Sequence, residues 1–299
     1  MAQIWFKSRG YRHFDAPVGI GYVNRICDPS FVAKHSWLPL IHYIKCVKRY
    51  KQKDKKTIYK ERHIMYASHR DACILSKYAY ELTLILDKYY EKEGLSENVI
   101  AYRQLGRSNY DFSADAYRFA EANCPCVVLC YDITGFFDDL DHAILKNHLK
   151  RLLCVTELST DWYKVFKHVT KFSKVDRAVL QAHPKFSARM AGQSRQPIAK
   201  ISEVREASIP IESNPNKFGI PQGTPISSAL SNLYMIGIDG VMAAICANIG
   251  GLYQRYSDDI LVICPLDKET EITKKIEEEV VRQIGAEGRK NRTQDFRSK

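Results

Sequence analysis

The segment LYQRYSDDILVIC, Leu252 to Cys264, constrains the fold more than any other part of this sequence. Two short runs rich in aromatic and β-branched residues flank a polar Ser-Asp-Asp, the pattern of an antiparallel hairpin with its turn at the acids. Strands this apolar belong in a core, yet the tip carries two adjacent like charges, Asp258 and Asp259. With a side-chain period of two, the pair points to opposite faces. A tight turn accounts for one aspartate; two at the end of a mostly buried hairpin need cations nearby. A second apolar run, CVVLCYD from Cys126 to Asp132, also has strand length and also ends in an acid. Its unbroken hydrophobicity suggests a strand buried on both faces, with Asp132 emerging from a rigid platform. The competing reading of Asp132 is a cap for the helix that follows.

If these acids converge, divalent metal is the simplest source of countercharge. Mg2+ takes few carboxylates together with substrate phosphates. Two such ions about 3.5–4 Å apart stabilise both the attacking and the leaving oxygen in phosphoryl transfer. Zinc lacks a ligand set: Cys124, Cys126 and Cys130 alternate as strand core residues would, and no His/Cys pair completes them. The nine cysteines are scattered and odd in number, so they form no disulfide framework.

Charge adds a second constraint. Lys and Arg number 45 against 34 Asp and Glu, a net +11 that suits a polyanionic partner. The cations are densest from Lys45 to Arg62, with Tyr50, Tyr59 and Tyr66 among them. Such a run reads either as a solvated face or mobile loop, or as a surface where rings stack on bases and cations pair with phosphates.

The rest of the chain reads as mixed α+β. The first third is helices and loops around the basic run. Ser68 to Glu91 places Ile74, Leu75, Tyr78, Leu82, Leu84 and Ile85 at the spacing of a buried helix. A second amphipathic helix covers about Ser113 to Ala122, a third follows Asp132, and residues 153–218 are polar, helical at first and irregular later. Gly219 opens a Gly/Pro turn into an apolar helix, and another amphipathic helix follows the hairpin. No signal-peptide core occurs at Met1 and no window reaches 18 apolar residues, so the expectation is a cytoplasmic chain without a membrane partner.

With YDITGFFDDLDH, GIPQGTPISSALSN and YSDD in that order, the chain resembles reverse transcriptases, and the three stretches look like their motifs A, B and C. The resemblance runs from about Arg62 to the end. GYRHFD, HSWLPLIHY, ERHIMYASHRD and VIAYR look most like bacterial reverse transcriptases of defence-associated and abortive-infection systems, related to retron and group II intron enzymes. It implies right-hand polymerase fingers and palm, with an antiparallel palm sheet backed by helices. Residues 1–125 would be the N-terminal segment and fingers, and 126–299 the palm, with a fingers-type insertion at about 153–218. A helical thumb would follow the palm, and the chain stops short of one, so the expectation is a truncated chain or a thumb supplied by a partner.

Residue by residue, the resemblance makes Asp132 and Asp258 the principal ligands of two Mg2+ ions, with Mn2+ as the alternative metal. Asp259 is the lesser ligand and the Ile133 carbonyl completes the shell. Phe137 matches a steric gate against the ribose 2′-hydroxyl, while Phe136 packs in the core. Gln222 and Gly223 would contact the incoming nucleotide. Arg62 would lie over it, and Lys55 or Lys60 would meet the triphosphate, which turns the basic run toward a binding role. The family's general-acid lysine falls at Arg292, and arginine is a poor proton donor with a pKa above roughly 12; Lys290 is the substitute candidate. Ser227-Ser228 stands where the family commonly has Ser-Pro. The implied activity is RNA-directed DNA synthesis from deoxynucleotides on a DNA or RNA primer, with a structured noncoding RNA as template and antiphage defence as the setting. The alternatives are a template-independent or RNA-synthesising polymerase of the same palm fold, and a non-catalytic RNA-binding protein.

Overall fold

The computed structural model of the protein describes residues 3–51, 55–192, 195–284 and 294–296. In chain order its elements are α1 (Ile20–Arg25), α2 (Pro29–Ala33), β1 (Leu40–Lys51), β2 (Lys56–Tyr66), α3 (His69–Lys92), α4 (Asn109–Ala122) and β3 (Cys126–Asp132). Then come α5 (Phe136–Asp139), α6 (His142–Leu152), α7 (Thr160–Thr170), β4 (Ser173–Asp176), α8 (Arg177–Ala182), α9 (Pro184–Ala191), α10 (Ile201–Glu206) and β5 (Glu212–Ser213). The chain continues with α11 (Ser227–Asn248), β6 (Leu252–Tyr256), β7 (Asp259–Pro265), α12 (Glu269–Ile284) and β8 (Gln294–Phe296). Two compact units result, one from Met1–Tyr80 with Glu157–Ser227, the other from Glu81–Thr156 with Ser228–Lys299. Residues 81–125 cluster with the strand that ends at Asp132, and 157–227 cluster with the N-terminal segment.

In the first unit the strands run in the order β2-β1-β4-β5. The basic run is a long antiparallel ribbon rather than a loop, paired from Ile41↔Tyr66 to Lys51↔Lys56. Its β-branched and aromatic residues favour strand over helix. Cross-strand partners share a face, and that sorts the side chains. Lys45, Lys56, Lys60 and Arg62 fall on one face with Val47, Ile58 and Ile64; Tyr50 and Tyr59 fall on the other with Lys48 and Thr57. Residues 153–218, expected to be helical at first and irregular later, open with the helix α7 and then supply β4 beside β1, the short helices α8, α9 and α10, and β5. Val175, Leu180, Phe186, Met190, Ile198 and Val204 from this stretch pack with Phe14 and Ile41 in one core. The GYRHFD stretch has a structural task here: the Asp15 carboxylate accepts from the backbone N–H groups of His69 and Arg70, each at 2.9 Å, and so caps α3.

In the second unit the order is β6-β7-β3-β8, antiparallel throughout. Along β3, Val127, Leu129 and Tyr131 are buried, while Cys126, Val128, Cys130 and Asp132 are half-exposed. The strand is therefore sealed on one face only, contrary to the reading of its continuous apolar run. The Tyr131 hydroxyl, 3.1 Å from Thr273 Oγ1, fixes α12 on the sealed face. Across the other face, Asn109, Phe112 and Ser113 of α4 stand over Cys130 around a cavity of about 380 Å3. Cys126 and Cys130 thus lie on the more open side, and Cys124 is exposed. Within α3 the buried positions in this unit are Leu82, Leu86 and Tyr90, one turn apart, and Leu84 faces solvent. Among the described residues one helix, α11, is long and apolar enough by length and composition to cross a membrane, with 67% of that stretch buried inside the protein. The 18-residue apolar criterion applied to the sequence passes over it.

Candidate active site

Strand pairing brings the distant acids of the second unit to one corner. Asp132, the last residue of β3, is the direct cross-strand partner of Asp259, the first residue of β7. Directly opposed residues place their Cβ atoms roughly 4.5–5.5 Å apart on the same face. Asp258 lies in the two-residue connection between Tyr256 and Asp259, which are themselves paired. The Ile133 N–H donates to the Asp258 carbonyl at 3.4 Å, so the chain leaving β3 is tied to this turn. Two-residue hairpin turns require a positive φ, supplied here by Ser257 at +60°. Asp132 and Asp258 are half-buried and Asp259 is exposed. Among the described residues, no three His, Cys, Asp or Glu side chains are gathered tightly enough to enclose a metal ion.

The register distinguishes the two adjacent acids: Asp259 opposes Asp132, and Asp258 belongs to the turn. The Asp259 carboxylate acts on the same face as Cys130, whose thiol pKa is raised by burial and then by the Asp259 charge. Asp259 also lines the cavity beneath α4, with Gln254 and Tyr256 beside it. Phe137 follows in α5, entered through Gly135 at φ +69°. It is half-buried and meets Phe136 edge-on at 5.5 Å, while Phe136 is 2% exposed and packed inward as expected.

The first unit gathers a second set. Gln222 accepts from the Met65 N–H at 2.8 Å, which ties the Pro-Gln-Gly turn to β2 three residues beyond Arg62. Gly223, at φ +110°, lies so close that a Cβ there would stand 2.8 Å from the Met65 carbonyl and 2.9 Å from Ile64 Cγ2. Ile64 and Arg62 share a face of the ribbon, so the glycine turn and Arg62 are on the same side. Arg62 is half-buried, Lys60 is exposed on the same strand, and Lys55 is exposed in the ribbon turn at φ +44°. The turn is tightened by Ser227 Oγ, 2.6 Å from both the Pro221 carbonyl and Thr224 Oγ1. Lys290 and Arg292 lie outside the described residues.

A family model described as reverse transcriptase (RNA-dependent DNA polymerase) matches residues 74–298. The chain belongs to the reverse transcriptase family. Among solved structures, apo telomerase from Candida tropicalis truncated from its C-terminal domain aligns with a TM-score of 0.52 and 12% identity, over 93% of this chain and 55% of that one. Telomerase from Candida albicans in complex with a TWJ fragment of telomeric RNA aligns with a TM-score of 0.50 and 15% identity, over 94% and 46%. At such identity the likeness is one of fold, and the chain spans about half the length of those chains. No curated protein matches it in sequence.

One part of this corner escapes motif reading. Beneath the Ser257–Asp258 turn, Arg255 of β6 and Asp239 of α11 form an ion pair with no exposed surface. Burial works against the Arg255 charge, and Asp239 more than offsets it, holding the guanidinium pKa above its usual value. The signal was present as two anomalies: an arginine inside an apolar strand and an acid inside the helix NLYMIGIDGVMAAI. Each alone is a buried charge in need of a partner.

Proposed function

We propose that the chain is an RNA-directed DNA polymerase that makes DNA on an RNA template, with a structured noncoding RNA as template and cytoplasmic antiphage defence as its setting. The observation that carries the reading is the register of Asp132 against Asp259, with Asp258 in the adjoining turn. Carboxylates and the Ile133 carbonyl are hard oxygen donors of the kind Mg2+ takes, so Asp132, Asp258, Asp259 and Ile133 would hold the ions, Mg2+ or Mn2+. Bound there, divalent metal supplies a lowered pKa for the primer hydroxyl and countercharge for the departing pyrophosphate. Phe137 would exclude the ribose 2′-hydroxyl. Gln222 and Gly223 would orient the base and sugar of the incoming nucleotide, and the Arg62 guanidinium would fork onto its phosphates, with Lys60 and Lys55 as point charges. The net charge of +11 supports a nucleic-acid partner.

The test is primer extension by the purified chain on an RNA template, with deoxy- or ribonucleotides and Mg2+. Extension with deoxynucleotides that disappears in Asp258→Asn supports the reading. Extension with ribonucleotides alone points to an RNA-synthesising enzyme, and extension without template to an untemplated one. RNA binding with no extension under any condition sinks the enzymatic reading. For the defence role, phage plating on cells expressing wild type or Asp258→Asn decides: equal plating on both refutes it.

A further inference from the structure

Arg255 and Asp239 are both 0% exposed, and their contact is bidentate, with Nε on Oδ1 at 2.6 Å and Nη2 on Oδ2 at 2.7 Å. Such a pair is weak evidence for stability, because desolvation offsets most of the attraction and apolar residues of equal volume commonly serve as well. What it has that apolar side chains lack is direction. Arg255 Nη1 donates to the Ser257 carbonyl at 2.8 Å and to Asn232 Oδ1 at 3.2 Å. Asn232 Nδ2 in turn donates to the Ala101 carbonyl at 2.9 Å, and the Tyr253 hydroxyl donates to Asp239 at 2.7 Å. The backbone of Arg255 is held as well: its N–H donates to Asn98 at 2.7 Å, and its carbonyl accepts from Ile100 at 3.1 Å. Tyr102 adds a hydroxyl contact to Ser257 Oγ at 3.2 Å.

The residue at the end of these contacts is the strained one. Ser257, 3% exposed, sits at φ +60°. A conformation of this kind is strained for a residue with a Cβ and persists where the surroundings over-determine it. The carbonyl that accepts from Arg255 belongs to the peptide plane leading into Asp258. Fixing that plane fixes where the Asp258 Cα directs its carboxylate.

We propose that the Arg255–Asp239–Asn232 network is a positioning device that locks the Ser257–Asp258 turn, so that Asp258 meets a divalent cation together with Asp132. The proposal rests on the metal reading of the three acids. Arg255 acts through the main chain and touches neither metal nor nucleotide. Lysine could not replace it, since an ammonium is a point donor that cannot fork onto Asp239 while reaching a carbonyl and an amide oxygen.

The test uses Arg255→Met/Asp239→Leu/Tyr253→Phe, which removes both charges and the dependent hydroxyl while keeping volume, and Arg255→Lys as a second variant that keeps the charge. Each is compared with wild type by thermal unfolding, by Mn2+ binding followed by electron paramagnetic resonance, and by primer extension. The triple variant is expected to unfold near the wild-type temperature. Mn2+ affinity and kcat should each fall roughly 10–100-fold, the usual effect of losing a group that orients a ligand, with KM for the deoxynucleotide unchanged. Arg255→Lys should show the same split between metal affinity and KM. A folded variant with wild-type Mn2+ affinity overturns the proposal and leaves the network a packing feature. Should wild type fail to extend primers yet bind Mn2+ in a manner lost in Asp258→Asn, the polymerase reading falls and the Mn2+ comparison still decides the network. Wild type that binds Mn2+ no better than Asp258→Asn overturns the metal reading and the positioning role together.

Discussion

Replacing Gly223 by alanine tests the joint between the glycine turn and the fingers ribbon. Two effects add at this position. The backbone is at φ +110°, a conformation that costs a residue with a Cβ on the order of 1–3 kcal/mol. The new methyl would also stand 2.8 Å from the Met65 carbonyl oxygen, a backbone atom inside a paired strand that cannot rotate aside. Overpacking of that sort costs about 1–3 kcal/mol. Gly223→Ala should therefore destabilise the first unit by roughly 2–6 kcal/mol. Gly94→Ala is the control, because Gly94 has φ +69° with nothing within 4 Å of a Cβ and carries the conformational penalty alone. The assay is urea unfolding followed by far-ultraviolet circular dichroism, which reports both units, with KM for deoxynucleotides measured on the fraction that remains folded. The Met65 N–H to Gln222 contact spans 2.8 Å, so a backbone shift at 223 should also raise that KM. If Gly223→Ala loses no more stability than Gly94→Ala, the close approach is not rigid and the argument for a fixed Gln222 fails.

Phe137→Val should lower selectivity for deoxy- over ribonucleotides by roughly 10–100-fold, the range for admitting a single hydroxyl; unchanged selectivity in single-turnover incorporation would remove Phe137 as the gate. His168 is buried and its pKa is lowered to about 4 by desolvation. The unfolded chain therefore binds a proton below about pH 6.5 that the folded chain refuses, and stability is intact above that pH and falls as pH drops toward 4. The loss is about 1.4 kcal/mol per pH unit from this residue. His168→Phe, keeping the stacking on Trp37 at 4.1 Å, should lessen the slope of the stability profile between pH 6.5 and 5, with the slope from buried His13 remaining; an unchanged slope in urea titrations refutes the assignment. The ribbon faces separate by salt. Lys45→Ala and Lys60→Ala should each reduce the log–log salt slope of single-strand RNA binding by about 0.7, whereas Tyr50→Ala and Tyr59→Ala leave that slope unchanged.

The corner of acids was legible because each acid ends or interrupts an apolar run, and such runs have few ways to pair. The register was not legible, since nothing in YSDD says which aspartate forms the turn; the pairing of Tyr256 with Asp259 settles it. The basic run was harder. Lysine-rich segments favour solvent whatever their backbone, so composition hides the two-residue alternation that makes Lys45 to Arg62 a ribbon. Once paired, the ribbon also separates Tyr50 and Tyr59 from most of the cations, and one strand of nucleic acid meeting a single face does not engage both. Residues 157–227 concealed a core because its apolar positions, Val175, Leu180, Phe186 and Val204, are spread over short elements, each too brief to show a period. Among the described residues, what motif reading cannot supply is support from beneath, as with Asp15 under α3 and Arg255 under the turn.

The electrostatic logic of the corner follows from where Arg255 directs its charge. A guanidinium three residues before an Asp-Asp pair could have neutralised it, which would have answered the need for a countercharge without any ion. Instead the fork closes on Asp239 with both nitrogens, and the charge is cancelled inside the unit. Only the remaining donor, Nη1, turns toward the tip, and it meets a main-chain carbonyl rather than a carboxylate. Arg255 therefore contributes geometry to the Ser257–Asp258 turn and almost no field. Under the proposed function, a divalent cation carrying a triphosphate is the species whose charge and hard oxygen preference match Asp132, Asp258 and Asp259.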